Sequence, residues 1–327
     1  MYLKKIIIIN LTFLNIFFYA QFEKKIIETD STRIEIIKNS KYKVFNEIYK
    51  YKDSIWSKVT FINDTLKLKS KGWTTKQHKR LGFWQEYNED GDLMYSRDYD
   101  KNTCIINSKL YPYYDLLVET KKKADKLILE NYGEKFMNNH VIFEFYCSAY
   151  ENSKYVGSWD EPLTDRPNRF IFDYSIRLKK TDKPTYLRIE IDKNGQFVPQ
   201  EHYYNYAGFE KIKEKNKIFR ISKDDAIAIA NKKGLNSNNS GKVQDYLVWE
   251  SLKTKEFYNG HFRYYITNLV DKIHYKKSED RKGIIYKFDV YVFNPWTGKF
   301  LEKKKMKSIE ESGKVSGHKT GLLPDEE

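Results

Sequence analysis

The sequence predicts an α+β protein: an N-terminal antiparallel β-hairpin region followed by two repeated helix-on-antiparallel-sheet units. Three observations lead there. Residues 33–99 alternate apolar and polar side chains between Asn/Asp/Gly turns, the pattern of half-buried hairpins. The order helix, strand, strand, strand then occurs twice. The two copies also keep register: Ala124 and Ala226 lie 102 residues apart, as do Val141 and Val243, while Gly195 and Gly298 lie 103 apart.

The chain begins with a short positive stretch, Lys4-Lys5, and an apolar run from Ile6 to Tyr19 that Asn10, Thr12 and Asn15 interrupt. That run is too short and polar for a confident membrane span, which needs about 20 mostly apolar residues. It reads as a secretory signal peptide over residues 1–20, cut between Ala20 and Gln21. The expected location is therefore periplasmic or secreted, in a bacterium, with a mature form that does not span the membrane. Outside the cytoplasm a disulfide between Cys104 and Cys147 is chemically permitted; the alternative is two small buried hydrophobes.

In the β-hairpin region, residues 21–110, Ile55–Phe61 and Thr65–Lys69 flank the turn signal Asn63-Asp64. A second hairpin pairs Gly82–Tyr87 with Leu93–Tyr99 around Asp90-Gly91. The first α+β unit, 111–210, opens with a helix over Glu119–Leu129 that places Ala124, Leu127 and Ile128 on one face. Strands follow near 141–146, 170–178 and 186–191, closed by the turn Asp192–Gly195. The second, 211–306, opens at Ser222, whose spacing to Asp225 forms a capping box. Its strands cover 243–250, 262–267 and 284–293, and the turn Asn294–Gly298 closes it. Residues 150–168 and 268–283 read as extra loops, and 307–327 as a flexible polar tail.

Two stretches resemble known families. Gly82-x-Trp84-x-x-Tyr87-x-x-x-Gly91-x-Leu93 resembles one unit of the MORN-repeat variants of bacterial proteins, which stack as β-hairpins with aromatic residues in the seam. Ile221–Ala230, followed by Tyr286–Val292 and the turn to Gly298–Leu301, resembles a PepSY domain, of cystatin-like helix-on-sheet form. Asn294 stands where that family has an acidic turn residue, which the first unit keeps as Asp192. The resemblance implies an exported module that restrains a peptidase.

Composition excludes less than it suggests. The net charge is +14, yet only 10 of the 59 basic residues are arginine, the side chain that grips phosphate best. Lysines spread over every segment read as solvated surface, and no nucleic-acid partner is expected. The sequence contains no G-x-S-x-G, no H-E-x-x-H and no Gly-rich phosphate loop. Its six histidines include no pair three or four residues apart, so no metal and no cofactor are expected. The most distinctive segment is Gly157–Pro167, where an aromatic, three carboxylates and two prolines interrupt the lysines. Trp159, Asp160, Glu161, Asp165 and Arg166 are its candidate binding residues; a stiff connection with Trp159 capping the core is the alternative. The leading function is a non-catalytic binding or inhibitory protein with a protein partner in the cell envelope, a modulator of an extracytoplasmic peptidase. The alternatives are a hydrolase with a dispersed active site and a small-ligand carrier.

Overall fold

A computed structural model describes residues 23–38, 41–61, 67–179, 183–199, 206–212, 215–235, 243–251, 259–278, 281–313 and 317–325. The signal peptide, its Ala20–Gln21 cleavage site and the Asn63-Asp64 turn lie outside them. The chain forms two compact units, Met1–Tyr114 with Asp160–Thr164, and Asp115–Trp159 with Asp165–Glu327.

The expected pair of helix-on-sheet units is not what forms. Among the described residues the protein is mostly β, with 56% strand and 15% helix, built as three large antiparallel sheets and three helices. The reason lies in pairing, which local sequence does not show. Segments that read as loop or tail each find a strand to bond.

The first unit is one eight-stranded sheet in which each strand pairs with the next. Its strands are β1 Glu23–Glu28, β2 Thr32–Lys38, β3 Tyr42–Tyr49, β4 Ser54–Phe61, β5 Leu68–Thr75, β6 Arg80–Tyr87, β7 Leu93–Asp98 and β8 Thr103–Ile106. The β6–β7 turn falls at Asn88–Gly91: Gly91 adopts a φ of 88°, and the Asn88 side chain accepts the Asp92 N–H at 2.8 Å. Trp84 lies flat on Gly72, where an added Cβ would sit 2.5 Å from the indole, and donates its N–H to the Trp73 carbonyl at 2.7 Å. Glycine is required there because the ring occupies the space of a side chain.

The second unit carries the other two sheets. Helix α1, Tyr114–Tyr132, buries Leu117, Thr120, Ala124, Ile128 and Tyr132, one stripe at helical spacing. Helix α2, Glu134–His140, leads into β9, Val141–Glu151. The sheet runs β10-β9-β11-β12-β13, with β10 Lys154–Ser158, β11 Arg169–Ile176, β12 Thr185–Ile191 and β13 Phe197–Val198; β14, Tyr206–Ala207, pairs parallel with β12. Helix α3, Lys223–Lys232, starts at the expected N-cap: Ser222 Oγ accepts the Asp225 N–H at 3.1 Å and donates to the Asp225 carboxylate at 2.6 Å.

The third sheet follows in the order β15-β16-β17-β18-β19: β15 Val243–Ser251, β16 Gly260–Ser278, β17 Arg281–Phe293, β18 Phe300–Gly313 and β19 Gly317–Lys319. A short β20, Leu323–Pro324, also pairs with β18. Both faces of its near end are covered. Tyr264, Ile266, Tyr291 and Phe293 pack with Ala226 and Ala230 of α3, while Tyr265, Val290, Val292 and Met306 form a core on the other face. Residues 268–278 and 281–283 are thus strand and not loop, and the expected flexible tail at 307–327 contains the end of β18, then β19 and β20.

The 102–103-residue offset survives as two similar turns. Gly195 and Gly298 both adopt a φ of 73°, and their N–H groups reach the carbonyls of Asp192 and Asn294 at 2.9 Å each. The sheets around them differ, because β10 adds an outer strand to one and a long three-stranded extension belongs to the other.

Candidate functional site

The five candidate binding residues are divided between the two units. Trp159 is in the second and buried, at 6% exposure. Its ring stands edge-on to Phe143 at 5.1 Å and lies 6.0 Å from Phe145. Phe145 sits in a β-bulge with a φ of 50°, a costly conformation for a bulky side chain, held here by its packing. Trp159 is therefore a core residue, and its expected role as a surface anchor is corrected. Asp160 and Glu161 are exposed and belong to the first unit, where the Tyr111 hydroxyl donates to the Asp160 carbonyl at 3.2 Å. Asp165 pairs with Lys154 at 2.7 Å, and Arg166 is exposed. Among the described residues no group of three His, Cys, Asp or Glu side chains is placed to hold a metal. The candidate disulfide is not formed. Cys104 is a half-buried thiol on β8, and Cys147 is fully buried in β9, where burial pushes its thiol well up.

The chemistry most heavily invested in the second unit lies around Glu210, at 7% exposure. Its carboxylate accepts three N–H donors: His261 Nδ1 at 3.0 Å, the Phe262 backbone at 3.0 Å and Trp296 Nε1 at 2.8 Å. The Glu210 backbone N–H donates to the Tyr132 hydroxyl at 2.8 Å, which itself donates to the Gly208 carbonyl at 3.2 Å. Tyr132, Phe136, Phe219 and Trp296 close over this network with ring centroids 4.4–6.1 Å apart. The sequence carries no local sign of it, since Glu210 and its side-chain partners are 51 and 86 residues apart.

His140 is tied in beside it, at 5% exposure. Its Nε2 accepts the Phe219 N–H at 3.0 Å, so Nδ1 carries the proton and donates to the Arg177 carbonyl at 2.9 Å. Burial holds its pKa below the usual histidine value, outweighing the carbonyl contacts that favour the charged form. Above about pH 6.5 the imidazole is neutral folded or unfolded and contributes no pH dependence. Below it the unfolded chain takes up a proton that the folded one refuses, so stability falls towards the lower, folded pKa by about 1.4 kcal/mol per pH unit. Urea midpoints measured from pH 7.5 down to 5 should show this loss, reduced in His140→Gln; identical profiles for the two proteins would remove His140 as the cause.

An open concavity of about 470 Å³ lies at the far end of the third sheet, lined by His274, Tyr275, Lys276, Lys282, Ile284 and Glu310 among others. The Tyr275 ring folds over Gly283, where a Cβ would meet it at 2.3 Å, and its hydroxyl donates to Glu311 at 2.9 Å. Beside the cavity, Glu310 accepts the Tyr286 hydroxyl at 3.0 Å and pairs with Lys319 at 3.3 Å. One signal for this region was present in the sequence. Ile273 and Tyr275 alternate with Lys272, His274 and Lys276, the period of a strand.

Among the described residues no helix is long and apolar enough to cross a membrane. No protein-family model matches this chain, and no curated protein or solved structure matches it either.

Proposed function

We propose that this chain is an exported, non-catalytic binding or inhibitory protein that acts on a protein partner in the cell envelope. One observation carries the reading: the groups with most chemical capacity, Glu210, Trp296, Tyr132 and His140, are spent on one another and on the backbone inside the second unit. Buried networks of this kind fix a scaffold. The open concavity is instead lined by lysines, an imidazole and a tyrosine, groups suited to holding a ligand. The N-terminal charge and apolar run support export, and the PepSY-like stretch makes a peptidase the first partner to try.

A second reading rests on the Glu210–His261 pair. A carboxylate orients an imidazole whose side chain is 40% exposed, two members of a hydrolytic triad. One experiment separates the two. The full chain, purified from the envelope of its native host, should carry a stoichiometric protein partner, begin at Gln21 and turn over no peptide, ester or glycan substrate. Turnover that His261→Ala abolishes would replace the binding reading with the hydrolytic one.

A further inference from the structure

The third sheet extends well past its first strand. β15 pairs with β16 only between Gly260 and Asn268, whereas β16 continues to Ser278. The strand bulges between Leu269 and Asp271, and the Asp271 carboxylate takes the Lys272 backbone N–H at 2.7 Å. Beyond that point residues 273–278 pair with β17 on one side and, among the described residues, with no strand on the other. A strand edge in that state presents backbone donors and acceptors to an extended peptide.

The side chains along this edge say which peptide. Lys272, His274 and Lys276 alternate, so they share one face of β16. Directly across from Lys276 stands Lys282, and beyond it Ser312. Like charges in that position repel, and neither Lys276 nor Lys282 has an ion-pair partner among the described residues. Elsewhere in the same sheet the lysines are neutralised. Lys287 and Lys307 flank Asp325 at 3.4 and 3.3 Å, Lys303 meets Asp289 at 2.8 Å, and Lys304 meets Glu250 at 2.8 Å. Glu310, the carboxylate that lines the concavity, is already engaged by Tyr286 and Lys319, and its charge also acts on Lys272. Among the described residues, positive charge without an ion-pair partner is therefore gathered where β16 has no second strand beside it. Glu279 and Asp280, between β16 and β17 in sequence, lie outside the described residues.

We propose that the far edge of β16 binds an extended acidic peptide segment by strand addition, its carboxylates at alternate positions facing Lys272, His274, Lys276 and Lys282. This deepens the binding reading above and rests on it. Alternate side chains of a bound strand repeat every 6–7 Å or so, the spacing of the basic row itself. Backbone bonds supply affinity, and the charge pattern selects the partner.

The test is calorimetric titration of the full chain with an acetylated and amidated six-residue Glu-Thr repeat. The repeat should bind, and the Gln-Thr repeat at least about tenfold more weakly. The double variant Lys276→Glu/Lys282→Glu, checked for native circular dichroism, should lose the acidic peptide by a similar factor and gain the Lys-Thr repeat. N-methylation of alternate amides should abolish binding in one of its two phases, because it removes the donors that a strand edge needs. Equal binding of the Glu and Gln repeats, retention of both N-methylated peptides, or a Kd weaker than about 1 mM for every peptide would overturn the proposal. If the double variant still captures the envelope partner, this site falls and the binding reading stands. Substrate turnover would remove both.

Discussion

Trp159→Ala lowers the stability of the second unit by about 3–5 kcal/mol, the cost of truncating a fully packed aromatic. The indole is 6% exposed and fills the space beside Phe143 and the bulged Phe145. Removing it opens a cavity and takes away the packing that holds Phe145 at its unfavourable φ. The measurement is a urea midpoint followed by far-UV circular dichroism. Capture of a partner by whatever fraction remains folded should be unchanged. A shift below about 1 kcal/mol, with capture lost, would return Trp159 to the surface role that its charged neighbours suggest.

Glu210→Ala should have an effect of similar size for a different reason. The substitution removes one acceptor and leaves three donors behind, two of them the Phe262 N–H and the Trp296 indole. Each buried donor without a partner costs about 1–3 kcal/mol, so a total loss of about 3–5 kcal/mol is expected. Glu210→Gln should lose much less. Its amide oxygen can face Phe262 and Trp296 while its amino group faces His261, which accepts in its other tautomer. Thermal unfolding with near-UV detection of Trp296 checks the order. If the alanine and glutamine variants are equally stable, the three hydrogen bonds are not what Glu210 contributes.

What could be read from the sequence was whatever depends on a few neighbouring residues. The Ser222–Asp225 cap and the Asn88–Gly91 turn are local devices, and the structure uses both as such. The helical stripe through Ala124 and Ile128 is legible for the same reason. Features set by remote partners were not legible. Residues 273–278 and 307–313 read as loop and tail because they are rich in polar and charged side chains, and only the first, through Ile273 and Tyr275, alternates with strand period. Only pairing with β17 turns them into sheet. The matching offsets encouraged a duplicated helix-on-sheet unit, yet what they mark is a pair of similar turns in unlike sheets. Trp159 lay among carboxylates in the sequence, but its ring is placed by Phe143 on the neighbouring strand. The Glu210 network could not be anticipated at all, because its members come from α1, the segment before α3, β16 and the turn after β17.

The eight strands of the first sheet each bond only to their neighbours in sequence. Closing any one of these hairpins restricts only a short loop, so the entropy of bringing its ends together is small. Such a ladder can nucleate at any hairpin and grow outward, quickly for a β-structure, because it never waits for distant segments to meet. It also comes apart in order. β1 is exposed along its whole length and, among the described residues, pairs as a strand with β2 alone, so it frays first and leaves the rest of the ladder bonded. A chain that becomes available stepwise, from either end, can thus assemble this sheet one strand at a time, each new strand finding its partner already in place.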